Sequence, residues 1–258
     1  MDQPIRFETR AGIAHLTFAR PERLNAFDFE MGRLYRDACL AAVSSPDTRA
    51  ILITAEGPSF CAGGDVLAMA GAGVDGSQVT DGAQVIHEGM AALTTSAIPV
   101  VIVARGAVAG GGIGLMLAGD YVIAGEDLRI AGRYAELGLT PDLGVSTLLA
   151  RAVGERRALT MLLTSRELDA ETAHDWGAVD EVTPDPEARG KEVAQAWTAG
   201  AADALGQAKR LVRASAHRPF SESLEDEAAS IGRAFDSEEA RGRIAAFAAA
   251  SAHRGGKS

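Results

Sequence analysis

Residues 100–120 read VVIVARGAVAGGGIGLMLAGD. The run 100–104 is apolar on both faces, which predicts a fully buried strand, and Pro99 marks its start. Three adjacent glycines, Gly110, Gly111 and Gly112, then precede an apolar segment at 113–118 that opens a helix. Each glycine costs a helix about 1 kcal/mol relative to alanine, so the bare backbone must serve another purpose. One reading is a ligand meeting main-chain N–H groups at a helix N-terminus, where four donors lack partners and the dipole is positive. The other is a turn that lets two elements pack closely. A dinucleotide fingerprint is absent. The third glycine is missing, and no acidic residue ends a second strand about 20 residues on.

Upstream, 13–18 (IAHLTF) alternates as a first strand, and Asp28 is placed to cap a helix running through Val43. A short buried strand is expected at 50–54. A second glycine-bearing loop, EGPSFCAGGDVLAM at 56–69, follows, with Asp65 positioned to cap a turn from Val66. Residues 71–82 are small and polar and predict a mobile loop before a helix at 83–96. Downstream, strands are expected at 121–124, 128–130 and 178–182. Helices are expected at 146–164 (interrupted near Gly154) and at 169–176. Beyond Pro184 and Pro186 the pattern is helical at 187–198, 202–217, 221–235 and 238–251. Strand–helix alternation followed by a helical tail indicates an α/β class, with a core over 1–195 and a helical oligomerisation region over 196–258.

Composition bounds the function. Of 258 residues, 47% are hydrophobic but only 5% aromatic, so the core is expected to be mostly Ala, Val, Leu and Ile. A formal charge of −10 argues against nucleic acid or an anionic membrane as partner. Cys39 and Cys61 make no disulfide framework and fit a reducing compartment. No apolar leader and no 18-residue apolar run are visible, so a cytoplasmic protein is expected. The five histidines show no metal-ligand spacing, and Ser146 has no G-x-S-x-G around it.

Four stretches in order resemble the crotonase, or enoyl-CoA hydratase/isomerase, family. They are FARPERLNAFD, SFCAGGDV, GAVAGGGIGLMLAGDYVIAG, and the segment that begins ELGLTPDLGVSTLLARAVGERRAL. The resemblance implies a spiral of ββα turns with a helical C-terminal trimerisation region, hence a homotrimer or hexamer. It implies an acyl-CoA substrate whose thioester carbonyl sits between the amides of Gly64 and Gly111. Two preorganised donors there would stabilise an enolate oxygen more than the ground-state carbonyl. Arg23, Leu24, Ala62, Asp65, Val66 and Leu67 match positions lining the CoA pocket. Phe247 matches an aromatic at the adenine, although Ala250 replaces a lysine common in the family. No metal or redox cofactor is implied; coenzyme A arrives with the substrate.

The hydratase branch uses two glutamates, and their places are taken here by Gly114 and Tyr134. Asp142, which follows Pro141, matches the acidic residue of the enoyl-CoA isomerase and 4-chlorobenzoyl-CoA dehalogenase branches. Taken alone it also reads as a turn residue or a cap for the helix at Ser146. In an apolar pocket its charged form would be disfavoured, raising its basicity. The dehalogenase branch has a tryptophan where Tyr134 falls, and a histidine in the preceding helix. His87 is one residue out of place, about 100° around that helix, and Tyr134 can equally line an acyl pocket. The expectation is therefore an isomerase moving a double bond from position 3 to 2, with Asp142 shuttling the proton. An aryl-CoA dehalogenase or hydrolase, and a non-catalytic acyl-CoA binder, remain the alternatives.

Overall fold

The computed structural model describes residues 3–164 and 166–255, with the backbone alone over 251–255. The chain opens on an antiparallel hairpin of β1 (Ile5–Arg10) and β2 (Ile13–Phe18). Sequence reading misses β1 because only Ile5 of its six residues is buried, which leaves no alternation to detect. The helix α1 (Phe29–Ser44) starts where expected, with Asp28 accepting from the Met31 amide at 2.9 Å.

A repeating unit follows. β3 (Ala50–Ala55) leads to β4 (Ser59–Cys61), then to α2 (Val66–Gly71) and α3 (Gly76–Thr95). β5 (Val100–Ala104) leads to β6 (Ala107–Ala109) and α4 (Gly111–Leu117). β7 (Tyr121–Gly125) leads to β8 (Arg129–Ala131), α5 (Val145–Val153) and α6 (Glu155–Thr164). The first strand of each unit joins one sheet and the second strand joins another. With β9 (Leu168–Asp169) and β10 (Glu181–Thr183) added, the sheets run β1-β2-β3-β5-β7-β10 and β4-β6-β8-β9. Neighbours from β2 to β10 in the first sheet, and β4, β6 and β8 in the second, are parallel. Between β4 and β6 the register slips: Ser59 faces Ala107, but Cys61 faces Val108, so β4 holds one extra residue.

Two expectations are corrected here. Residues 71–82 are not a loop throughout, because α3 begins at Gly76. Asp75 accepts from the Gln78 amide while the Gln78 side chain accepts from the Asp75 amide, a reciprocal cap that offsets the weak helix formers around it. The strand expected at 178–182 starts only at Glu181, since α7 (Ala170–Trp176) ends in a turn at Gly177 with positive φ.

The core is aliphatic around β5, as composition implies, yet its end beside β4 is aromatic. Phe18 packs on Phe27 and Phe60 with ring centroids 5.3 and 5.2 Å apart, and Phe27 on Tyr35 at 5.6 Å. α8 (Pro186–Ala199) crosses β3, β5 and β7, so residue 195 lies inside a helix packed on the sheet. The chain then runs through α9 (Ala202–Ser215), α10 (Phe220–Asp236) and α11 (Glu238–Gly255). Among the described residues no helix is long and apolar enough to cross a membrane.

Candidate active site

β4 and β6 are parallel neighbours, so the segments leaving their C-terminal ends, Ala62–Asp65 and Gly110–Gly112, emerge side by side. A Cβ on Gly63 would lie 3.3 Å from the Gly111 amide nitrogen, which measures how closely the two backbones approach. Neither Gly64 nor Gly111 donates its amide to an acceptor among the described residues. Gly111 begins α4, and Gly110 before it offers no side-chain cap. Two free N–H donors thus stand at the ends of adjacent strands, as an oxyanion site requires.

Each loop is held in its own way. The first is stitched to the turn at 20–28. The Ala62 amide donates to Leu24 O at 3.0 Å, Phe27 to Gly63 O at 2.7 Å, and Asp65 to Phe27 O at 2.9 Å. Asn25 is fully buried, and its Nδ2 donates to the carbonyls of Glu56 and Ser59 at 2.9 and 2.7 Å. Asp65, 4% exposed, pairs with Arg20 at 3.1 Å and Arg23 at 2.7 Å, and caps α2 at the Ala68 amide. The Arg23 guanidinium beside it holds its carboxyl below the usual carboxylate range. Both Asp65 oxygens are therefore engaged, so it shapes the pocket rather than offering a free group to a ligand. Leu24 and Leu67 are exposed, and Ala62 and Val66 half-buried, along the same rim.

The second loop is fixed by sterics. A Cβ on Gly112 would come 2.3 Å from Cys61 O, so only glycine lets α4 start against β4. At Gly114 a Cβ would meet Leu143 O at 1.8 Å. The Asp142–Leu143–Gly144 turn, with Leu143 at φ 45° and Gly144 at φ 74°, lies directly on α4. The first hydratase glutamate position is thus closed by main chain as well as lacking the residue.

The same turn delivers Asp142. Its Oδ1 lies 3.1 Å from where a Cβ on Gly111 would be, and accepts from the Tyr134 hydroxyl at 2.6 Å. The Asp142 amide donates back to that hydroxyl at 3.3 Å. Burial, with the carboxylate alongside, pushes the Tyr134 phenol well above its ordinary value, so it stays protonated as a donor. Oδ2 accepts from no described residue. The expectation of an apolar enclosure for Asp142 is corrected: the residue is exposed, because the turn rides on the outside of α4.

Phe247 is 75% exposed on α11, a helix that packs chiefly on α10. His87 lies exposed on α3. Cys61 is buried with its thiol pushed up to about 12 by burial, which removes it as a nucleophile. Sequence reading missed Asn25, although an Asn among turn residues signals the left-handed conformation it adopts at φ 54°. It also missed Asp120 as an anchor. Asp120 pairs with Lys209 at 2.8 Å and Arg213 at 2.9 Å, and accepts from the Val100 amide, tying α9 to the start of β5.

An enoyl-CoA hydratase/isomerase family model matches residues 8–252. The chain belongs to the enoyl-CoA hydratase/isomerase family. Among curated relatives, "1,2-epoxyphenylacetyl-CoA isomerase" of Escherichia coli is 37% identical over 67% of each chain. "Probable enoyl-CoA hydratase EchA14" of Mycobacterium tuberculosis is 33% identical over 83% of this chain and 82% of its own. The crystal structure of an enoyl-CoA hydratase from Polaromonas superposes with a TM-score of 0.88 at 29% identity, covering 95% of this chain and 96% of that one. Family membership makes acyl-CoA thioesters the substrate class, and the crotonase fold accounts for the paired strands that bring the two amides together.

Proposed function

We propose that this family member is an enoyl-CoA isomerase that converts 3-enoyl-CoA to 2-enoyl-CoA. The observation that carries the reading is the Asp142 carboxylate beside Gly111, with one oxygen held by Tyr134 and the other accepting from no described residue. With the thioester oxygen between the Gly64 and Gly111 amides, Oδ2 of Asp142 takes a proton from C2. The electron pair moves toward the thioester and gives a dienolate whose oxygen the two donors stabilise, each by about 2.7–4 kcal/mol in the transition state. Asp142 then returns the proton to C4, leaving the double bond between C2 and C3. Tyr134 keeps the carboxylate oriented through both transfers. An acyl chain laid across the turn strips water from Asp142, supplying on binding the desolvation that the free protein lacks. No further cofactor is required.

Hydration needs a general acid/base pair around a water. Gly114 and Tyr134 supply no carboxylate, and the Leu143 carbonyl closes one of the two places. The test is incubation with 3-enoyl-CoA and identification of the product. The expected result is a conjugated thioester of unchanged mass, lost about 10²–10⁴-fold in Asp142→Asn while thioester binding persists. A product that has gained water, or undiminished turnover by the variant, overturns the proposal.

The same reading includes a homotrimer. Ile231, Phe235 and Phe247 are 69%, 61% and 75% exposed on α10 and α11, apolar surface that association between copies would cover. Light scattering is expected to give three chains per particle, or six.

A further inference from the structure

Next to the Asp142 turn, α3, α5 and α9 line a cavity of about 480 Å³. Gly144 belongs to both the turn and the cavity wall, and its Cβ position lies 3.6 Å from the Met90 methyl on α3. Gly144 and Asp142 are two residues apart, a span of at most about 7 Å. Met90 and Leu148 make this part of the cavity apolar. Its outer part is basic. Arg151 lies seven residues along α5 from Gly144, about 10 Å of helix, and its Nη2 meets His217 Nε2 at 3.3 Å.

The other two arginines of the cavity are already neutralised. Arg210 pairs with Asp226 at 2.6 Å, and Arg213 with Asp120 at 2.9 Å. Arg151 pairs with no carboxylate among the described residues. Arg151 is exposed at the outer end of this cavity, so in a chain of formal charge −10 its guanidinium is open to an anion from outside. Its planar donor face suits a carboxylate, and the hydrogen bond from Nη2 leaves its other N–H groups available.

We infer that this cavity receives the distal part of the acyl chain, and that Arg151, with His217 beside it, selects chains ending in a carboxylate. The substrate class is then a medium-length dicarboxylic acyl-CoA, with its thioester at Gly64 and Gly111 and its free carboxylate at Arg151. The inference rests on the acyl-CoA reading of the site, though not on the reaction being isomerisation.

Saturated acyl-CoA thioesters carry no double bond to move, so their binding tests the inference apart from turnover. Pairs of matched length, one ending in methyl and one in carboxylate, are titrated calorimetrically into the wild-type protein. The carboxylate-ended thioester is expected to bind about tenfold tighter at the length that reaches Arg151. Arg151→Glu is expected to abolish or reverse that ratio, and Arg151→Lys to restore part of it. A merely structural Arg151 would weaken both thioesters alike and leave the ratio unchanged. Equal affinities in the wild type, or a ratio indifferent to Arg151→Glu, overturn the inference and leave the acyl-CoA reading standing. Failure of both thioesters to bind overturns the acyl-CoA reading itself. Saturable, Arg151-dependent binding of the free dicarboxylate with no competition against the thioester would make the cavity a separate anion site, which also overturns it.

Discussion

Gly64 stands on an exposed loop pinned by polar side chains, whereas Gly111 starts a fully buried helix pinned by backbone against backbone. In the proposed function the two donors serve one oxygen, yet their supports respond to different insults. Asn25, Arg20, Arg23 and Asp65 form a network that can weaken in steps and is sensitive to charge. Gly112 and Gly114 face carbonyl oxygens with no room for a methyl group, so the second support tolerates substitution only if an entire segment moves.

The largest effect should come from the steric side. Gly114→Glu places side-chain atoms where the Leu143 carbonyl sits, so the turn carrying Asp142 must leave α4. Activity is expected to vanish without any hydratase activity appearing, and urea unfolding should show a loss of at least about 3 kcal/mol. A stable Gly114→Glu protein that hydrates 2-enoyl-CoA would show that the turn is adjustable and the contrast false. Asn25→Ala should act more gently. It strands the carbonyl of buried Ser59 and that of Glu56, a cost of about 1–3 kcal/mol in stability, with turnover falling further than substrate affinity as Gly64 loses its aim. Equal losses at both amides, read from amide hydrogen exchange at Gly64 and Gly111, would show the two supports to be one.

The smallest effect is expected at Asp65. Because its folded-state pKa is depressed, its contribution is complete above the ordinary carboxylate range and is lost as pH falls through the lower folded value. Hydrogen exchange at Gly64 should therefore accelerate in acid before that at Gly111 does. Asp65→Asn should remove this difference and make turnover less dependent on salt.

Much of this arrangement is legible in the chain. The buried run at 100–104, the helix in the apolar segment at 113–118, and the caps at Asp28 and Asp65 follow from local pattern, and all four are present, the helix starting two residues early at Gly111 and ending at Leu117. Within the glycine triplet the positions differ. The Gly111 amide has no acceptor among the described residues, while Gly112 is required by packing against Cys61. β4 and β6 escape notice because three-residue strands inside glycine-rich segments carry no periodicity, although they set where both amides stand. α3 begins earlier than composition indicates because a reciprocal cap outweighs Gly and Ser propensity. Asp120 escapes notice as an anchor because its partners, Lys209 and Arg213, lie far along the chain. Asp142 is found by family likeness, but its exposure is set by a turn whose course depends on Gly114, a contact that local sequence does not encode.

The extra residue in β4 has a consequence for how this architecture can vary. A strand advances about 3.3 Å per residue, roughly the length of one hydrogen bond, so Phe60 acts as a spacer that sets the gauge between the two glycine-bearing loops. Insertions at 72–75, between α2 and α3, lengthen a surface loop and leave that gauge alone, whereas a single deletion between Ser59 and Cys61 would draw Gly64 out of step with its partner. Diversification of such a scaffold is therefore free along its rim and frozen over the few residues where the strands are counted against each other.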